Sequence, residues 1–111
     1  MIRLHHCHQT RSMRSLWLLY ELGVSFDLQI HPFDKSLRSD AYLRLNPAGR
    51  VPALEHDDVV ICESGAIAEF LCETYPDAGL MPKPGHPERA RFLEMLSLSE
   101  TVGCLLENLN L

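Results

Sequence analysis

The chain of 111 residues has no long hydrophobic run. Its longest apolar stretch, Leu16-Trp17-Leu18-Leu19-Tyr20, is far too short for a transmembrane helix. It lacks any Cys-x-x-Cys pair. Cys7, Cys62, Cys72 and Cys104 are scattered in a pattern unlike a disulfide framework, which points to a reducing compartment. There is no excess of positive charge: 10 Lys and Arg face 15 Asp and Glu, a net −5. Nucleic acid is therefore not expected as the main partner. The opening Met-Ile-Arg has the character of neither a signal nor a transit peptide, so a cytoplasmic location is expected. With 46% hydrophobic and 23% charged residues, the composition is that of an ordinary soluble domain and excludes disorder, collagen and coiled coil.

What charge there is divides unevenly. Residues 1–50 hold seven basic and four acidic side chains, and residues 51–111 hold three and eleven. A small anionic ligand is compatible with the basic half, as is random surface variation. Alternation at residues 2–6 predicts a strand. A helix is expected over 11–22, stopped by Gly23. Met13, Leu16, Trp17 and Tyr20 form one apolar row of this helix, and Ser15, Leu18, Leu19 and Leu22 lie on another face, so burial on two sides is expected. A second strand follows over 25–31 and a short helix over 39–45. Residues 51–55 and 59–62 read as a hairpin around the acidic turn His56-Asp57-Asp58. A helix is expected over 64–75, then a proline-rich linker, then a last helix with Pro87 in its first position. The fold class is α/β: a βαβ unit, a ββα unit and one further long helix. Phe92, Leu93, Met95, Leu96, Val102, Leu105, Leu106 and Leu109 on that helix demand cover, so the chain is expected to be the front part of a larger protein, or to meet a partner chain.

The most informative segment is Asn46-Pro47-Ala48-Gly49-Arg50-Val51-Pro52-Ala53-Leu54, followed by Glu63-Ser64-Gly65-Ala66-Ile67. In these paired motifs the sequence resembles the glutathione transferases, over residues 1 to about 80 and into the next helix. The resemblance implies a thioredoxin-like glutathione-binding domain over 1–78, a linker over 79–86 and the first helix of an all-α domain over 87–111. It implies a cis Val51–Pro52 bond, with the Val51 amide and carbonyl pairing with the cysteinyl part of glutathione as an added strand. It places the γ-glutamyl carboxylate at Ser64, read as a helix N-cap, and the γ-glutamyl ammonium at Glu63. Arg50 falls near the glycyl carboxylate.

The first strand–helix junction, His5-His6-Cys7-His8-Gln9-Thr10-Arg11-Ser12-Met13-Arg14-Ser15, resembles bacterial members with a Ser-Arg-Ser-x-Arg helix start, Thr10 replacing the first serine. The tyrosine activator of some classes is absent from this junction. Thr10, Ser12 and Cys7 are the candidate thiol activators; Thr10 and Ser12 also suit plain N-caps, and Cys7 also suits an inert, half-buried core position. No metal site is expected from His5, His6, Cys7 and His8, because alternating strand residues divide two and two between opposite faces. The implied activity is transfer of the glutathione thiolate to an electrophilic small molecule by a homodimer whose helical domain supplies the electrophile pocket. A non-catalytic glutathione-binding or dimerisation module and a Cys7-dependent glutathione disulfide reductase are the alternatives.

Overall fold

A computed structural model describes residues 1–107 and residue 109. The chain divides into two compact units, Met1–Ala68 and Glu69–Leu111. The first holds β1 (Ile2–His6), α1 (Ser12–Leu22), β2 (Asp27–Ile30), a 3₁₀ turn (Lys35–Arg38), α2 (Asp40–Leu45), β3 (Ala53–His56), β4 (Val59–Cys62) and the start of α3 (Ser64–Thr74). The second holds the rest of α3, a 3₁₀ turn (Pro76–Ala78) and α4 (Arg89–Glu107).

The sheet runs in the order β2-β1-β3-β4. β1 pairs parallel with β2 and antiparallel with β3, and β3 pairs antiparallel with β4. This is the βαβ-then-ββα arrangement of a thioredoxin-like domain. Leu4 and His6 on one face of central β1 and His5 on the other are all buried, so this strand is covered on both faces. The edge strands β2 and β4 are largely exposed.

Local chemistry fixes the helix ends. Gly23 adopts φ 70° and returns its N–H to the Tyr20 carbonyl at 3.1 Å, closing α1. Ser39 caps α2 by accepting from the Tyr42 N–H at 3.2 Å, with Asp40 in the first turn and Arg44 in the last. Tyr42, Leu37 and Ala53 form a buried cluster with Leu45, Val51 and Cys62 packed against it, joining α2 to the hairpin.

Three expectations need correction. α1 buries only one face, through Ser12, Ser15 and Leu19, while Trp17 and Tyr20 are 69% and 68% exposed. The apolar row including Met13 therefore lacks the expected second cover among the described residues. α4 begins at Arg89, two residues after Pro87, because the His86 ring accepts from the Glu88 N–H at 3.0 Å in a preceding turn. The Glu63 carbonyl accepts from the Ile67 N–H at 2.9 Å, so the cap of α3 falls on Glu63 and Ser64 is the first helical residue.

Within the second unit, Arg89 is the organising side chain. It pairs with Glu69 at 2.9 Å, donates to the Pro82 carbonyl at 2.9 Å and lies over the Phe92 ring at 5.5 Å. Leu93, Met95, Leu98, Val102, Leu105, Leu106 and Leu109 are exposed.

Candidate functional site

Strand register gathers the singled-out residues. His5 pairs with Ala53, and Ala53 with Cys62. The end of β1, the start of β3 and the end of β4 therefore meet at one end of the sheet. Cys7, Thr10 and Ser12 follow β1; Arg50, Val51 and Pro52 precede β3; Glu63 and Ser64 follow β4. The three segments are far apart in sequence and adjacent only through this pairing.

The Val51–Pro52 peptide is cis. The loop before it is held by its own side chains. Asn46 Nδ2 and the Tyr42 hydroxyl both donate to the Arg50 carbonyl, at 2.9 and 2.6 Å. Asn46 Oδ1 accepts from the Ala48 N–H at 3.0 Å. Gly49 sits at φ 65°, and a Cβ there would stand 3.1 Å from the Leu37 carbonyl oxygen, so both backbone conformation and close approach require glycine. Burial, with Cys62 adding to it, pushes the Tyr42 hydroxyl up to about 12, so it remains a neutral donor. Arg50 is exposed, and Val51 is half-buried.

At the end of β4, Glu63 adopts φ 76°, a left-handed conformation unusual for a non-glycine residue. The glutamate side chain is exposed, while Ser64 is buried at the first turn of α3. Arg14 Nη1 donates to Ser64 Oγ at 3.4 Å, which ties the start of α1 to the start of α3. Arg14 belongs to the matched helix-start pattern, but the pattern carried no role for it; only the folded contact supplies one.

The β1–α1 junction turns through Gln9 at φ 63°. Ser12 is fully buried. Its Oγ accepts from the Cys7 N–H at 3.0 Å and lies 2.8 Å from Thr10 Oγ1, 2.7 Å from His6 Nδ1 and 3.0 Å from the Cys7 carbonyl. The Thr10 hydroxyl lies 2.7 Å from the same carbonyl, and Thr10 is half-buried. Cys7 is buried, with Sγ against the His8 carbonyl at 3.7 Å. Of the three candidate activators, Thr10 alone retains surface. Burial and the neighbouring His8 push the His6 imidazole below its ordinary value, against an opposing pull from Ser12.

A second histidine cluster lies on β1 and beyond β2. His5 bridges His31 at 2.9 Å and Glu55 at 2.7 Å, and both histidine rings stack edgewise on Tyr42. Among the described residues no group of three or more His, Cys, Asp or Glu side chains is placed to hold a metal ion. The described cysteines are free thiols; burial pushes those of Cys62 and Cys72 up. No described helix is long and apolar enough to cross a membrane.

Comparison with known proteins sets this geometry in context. Residues 4–83 match the family model for the glutathione S-transferase N-terminal domain. Protein LigF of Sphingobium sp. is 38% identical over 77 residues, covering 68% of this chain and 30% of that protein. Glutathione S-transferase 3 of Schizosaccharomyces pombe is 37% identical over 75 residues, covering 68% and 31%. Among solved structures, a glutathione transferase from Methylococcus capsulatus superposes with a TM-score of 0.79 at 33% identity, over 91% of this chain and 51% of that one. A sphingomonad glutathione S-transferase complexed with glutathione superposes with a TM-score of 0.71 at 31% identity, over 86% and 49%. The chain thus spans about a third of the length of these curated relatives and about half that of the solved ones.

Proposed function

The chain belongs to the glutathione S-transferase family through its N-terminal domain, and from that premise we propose that it binds glutathione and presents the thiolate to an electrophilic small molecule. The convergence of the β1–α1 junction, the cis-proline loop and the head of α3 at one end of the sheet carries this reading. The Val51 backbone pairs with the cysteinyl residue as an added strand. Ser64 and the first amides of α3 take the γ-glutamyl carboxylate, with Arg14 adding positive charge behind Ser64. Glu63 takes the γ-glutamyl ammonium, and Arg50 the glycyl carboxylate.

Thr10 is the hydroxyl that donates to the thiolate, since it alone of the three activator candidates reaches the surface. Ser12 positions Thr10 from within. Burial of Cys7 favours its reading as a core residue over a mixed-disulfide role. Residues 1–78 form the glutathione-binding domain, followed by a linker, and α4, beginning at Arg89, is the first helix of a helical domain that supplies the electrophile pocket in a cytoplasmic homodimer.

Titration calorimetry with reduced glutathione tests the reading. The chain is expected to bind, and Glu63→Ala and Ser64→Ala are each expected to weaken binding about tenfold, the scale of one lost charge-assisted hydrogen bond. No heat from the folded wild-type chain, or unchanged affinity in both variants, would refute it. Binding with no conjugation by a chain that includes the helical domain would favour the non-catalytic module.

A further inference from the structure

Thr10, Ser12, His6 and His8 form a continuous file of groups that can each donate and accept. Thr10 Oγ1 to Ser12 Oγ is 2.8 Å, Ser12 Oγ to His6 Nδ1 is 2.7 Å, and His6 Nε2 to His8 Nδ1 is 3.0 Å. The two ends reach the surface, at half-buried Thr10 and exposed His8, while Ser12 and His6 in the middle have no exposure. Neither histidine was assigned chemistry from sequence.

We propose that this file holds a bound thiol ionised, relaying its proton to solvent and leaving Thr10 donating to the resulting thiolate, with His6 and His8 as positioning residues. The inference rests on the glutathione-binding reading above. Before transfer, the thiol S–H donates to Thr10 Oγ1, Thr10 to Ser12, Ser12 to His6 Nδ1, and His6 Nε2–H to His8 Nδ1. Each hydrogen then moves one place. The S–H bond breaks with its electron pair left on sulfur, and Thr10 Oγ1 gains that proton as it passes its own to Ser12. His6 takes the Ser12 proton at Nδ1 and gives its Nε2 proton to His8 Nδ1, and His8 sheds its Nε2 proton to water. Afterwards every bond points the other way and ends on the thiolate.

Ser12 is satisfied in both directions. It accepts from the Cys7 N–H throughout, and it exchanges Thr10 for His6 as second donor when the file reverses. The Cys7 carbonyl, near both hydroxyls, is an alternative acceptor between which each hydrogen rotates about one single bond. Neutral His6 is essential, because an imidazolium donates at both nitrogens and breaks the file; its burial and the facing His8 hold it neutral. Cys7 touches the file through its N–H and carbonyl only, its thiol lying against the His8 carbonyl. A file whose dipoles all align strengthens each bond, which lowers the thiol pKa as well as conducting the proton.

The test follows the ultraviolet absorption of the thiolate of bound reduced glutathione against pH, with S-methylglutathione as the blank. It uses the full chain, His6→Asn and His8→Phe. Exposed His8→Phe retains an aromatic edge against His6 but takes no proton, so it decides the matter should the buried variant misfold. Both variants are expected to bind glutathione within about threefold of wild type. The thiolate midpoint is expected to rise by about one pH unit, a tenfold loss of thiolate below it. Binding retained with an unmoved midpoint in His8→Phe overturns the file alone. Absence of binding by the wild-type chain overturns the glutathione reading, and the file with it.

Discussion

The Arg50 carbonyl offers a quantitative handle on the loop that leads into Pro52. Two buried side chains donate to it, Tyr42 through its hydroxyl at 2.6 Å and Asn46 through its amide at 2.9 Å. Tyr42→Phe removes one donor and leaves the ring against His5 and His31, so about 1 kcal/mol of stability is expected to be lost. Asn46→Ala removes that amide and the acceptor for the Ala48 N–H, for about 2 kcal/mol. Each single variant leaves the carbonyl one partner; the double variant leaves it neither. The double loss should therefore exceed the sum of the singles by about 1 kcal/mol, the coupling of a shared acceptor. Urea unfolding of the four proteins, compared at a common slope, measures it. The Tyr42 hydroxyl, pushed up to about 12, stays protonated, so the coupling should be the same at about pH 6 and about pH 9. Additivity within about 0.3 kcal/mol would refute the shared-anchor account.

Two further outcomes concern buried polar groups. Ser15 Oγ on α1 is buried without a hydrogen-bond partner, so Ser15→Ala should raise stability by about 1 kcal/mol through relief of that burial and better helix propensity; a lower thermal midpoint would contradict it. His6 and His31 are both held below the ordinary histidine value, first by burial and then by a neighbouring histidine. Below an unfolded value of about 6.5 the unfolded chain binds more protons than the native one, so stability is full above that pH and falls as pH drops through it. Urea midpoints measured from about pH 7.5 down to about pH 5 should decline, and His31→Gln should flatten the decline; a flat wild-type profile would refute the sign.

Much of the frame was readable from residue types whose backbone demands are local. Gly23 ends α1 and the acidic turn separates β3 from β4, each because local residue preference decides the matter. Features that depend on what lies opposite were not readable. Trp17 and Tyr20 share helical spacing with core residues, yet spacing does not reveal whether anything covers them. Pro87 suits a first helical position, but the His86 ring adds a turn before α4 begins. Alternation over residues 2–6 gives no hint that His6 lies on a central strand and is sealed from solvent. The site segments were recognisable from the paired motifs; that Arg14 reaches Ser64 and that Ser12 is sealed away required the folded chain.

The antiparallel register of β3 has a consequence for how this chain tolerates changes of length. Ala53 answers to His5 on one side and Cys62 on the other, so one residue added within Ala53–His56 would flip the alternation and draw Val51 out of step with both neighbours. The same residue added at Asp57–Asp58, at the far end of the ladder, would leave that alignment untouched. Natural indels and grafted peptides alike should accumulate at the acidic bend and be purged from the four residues before it.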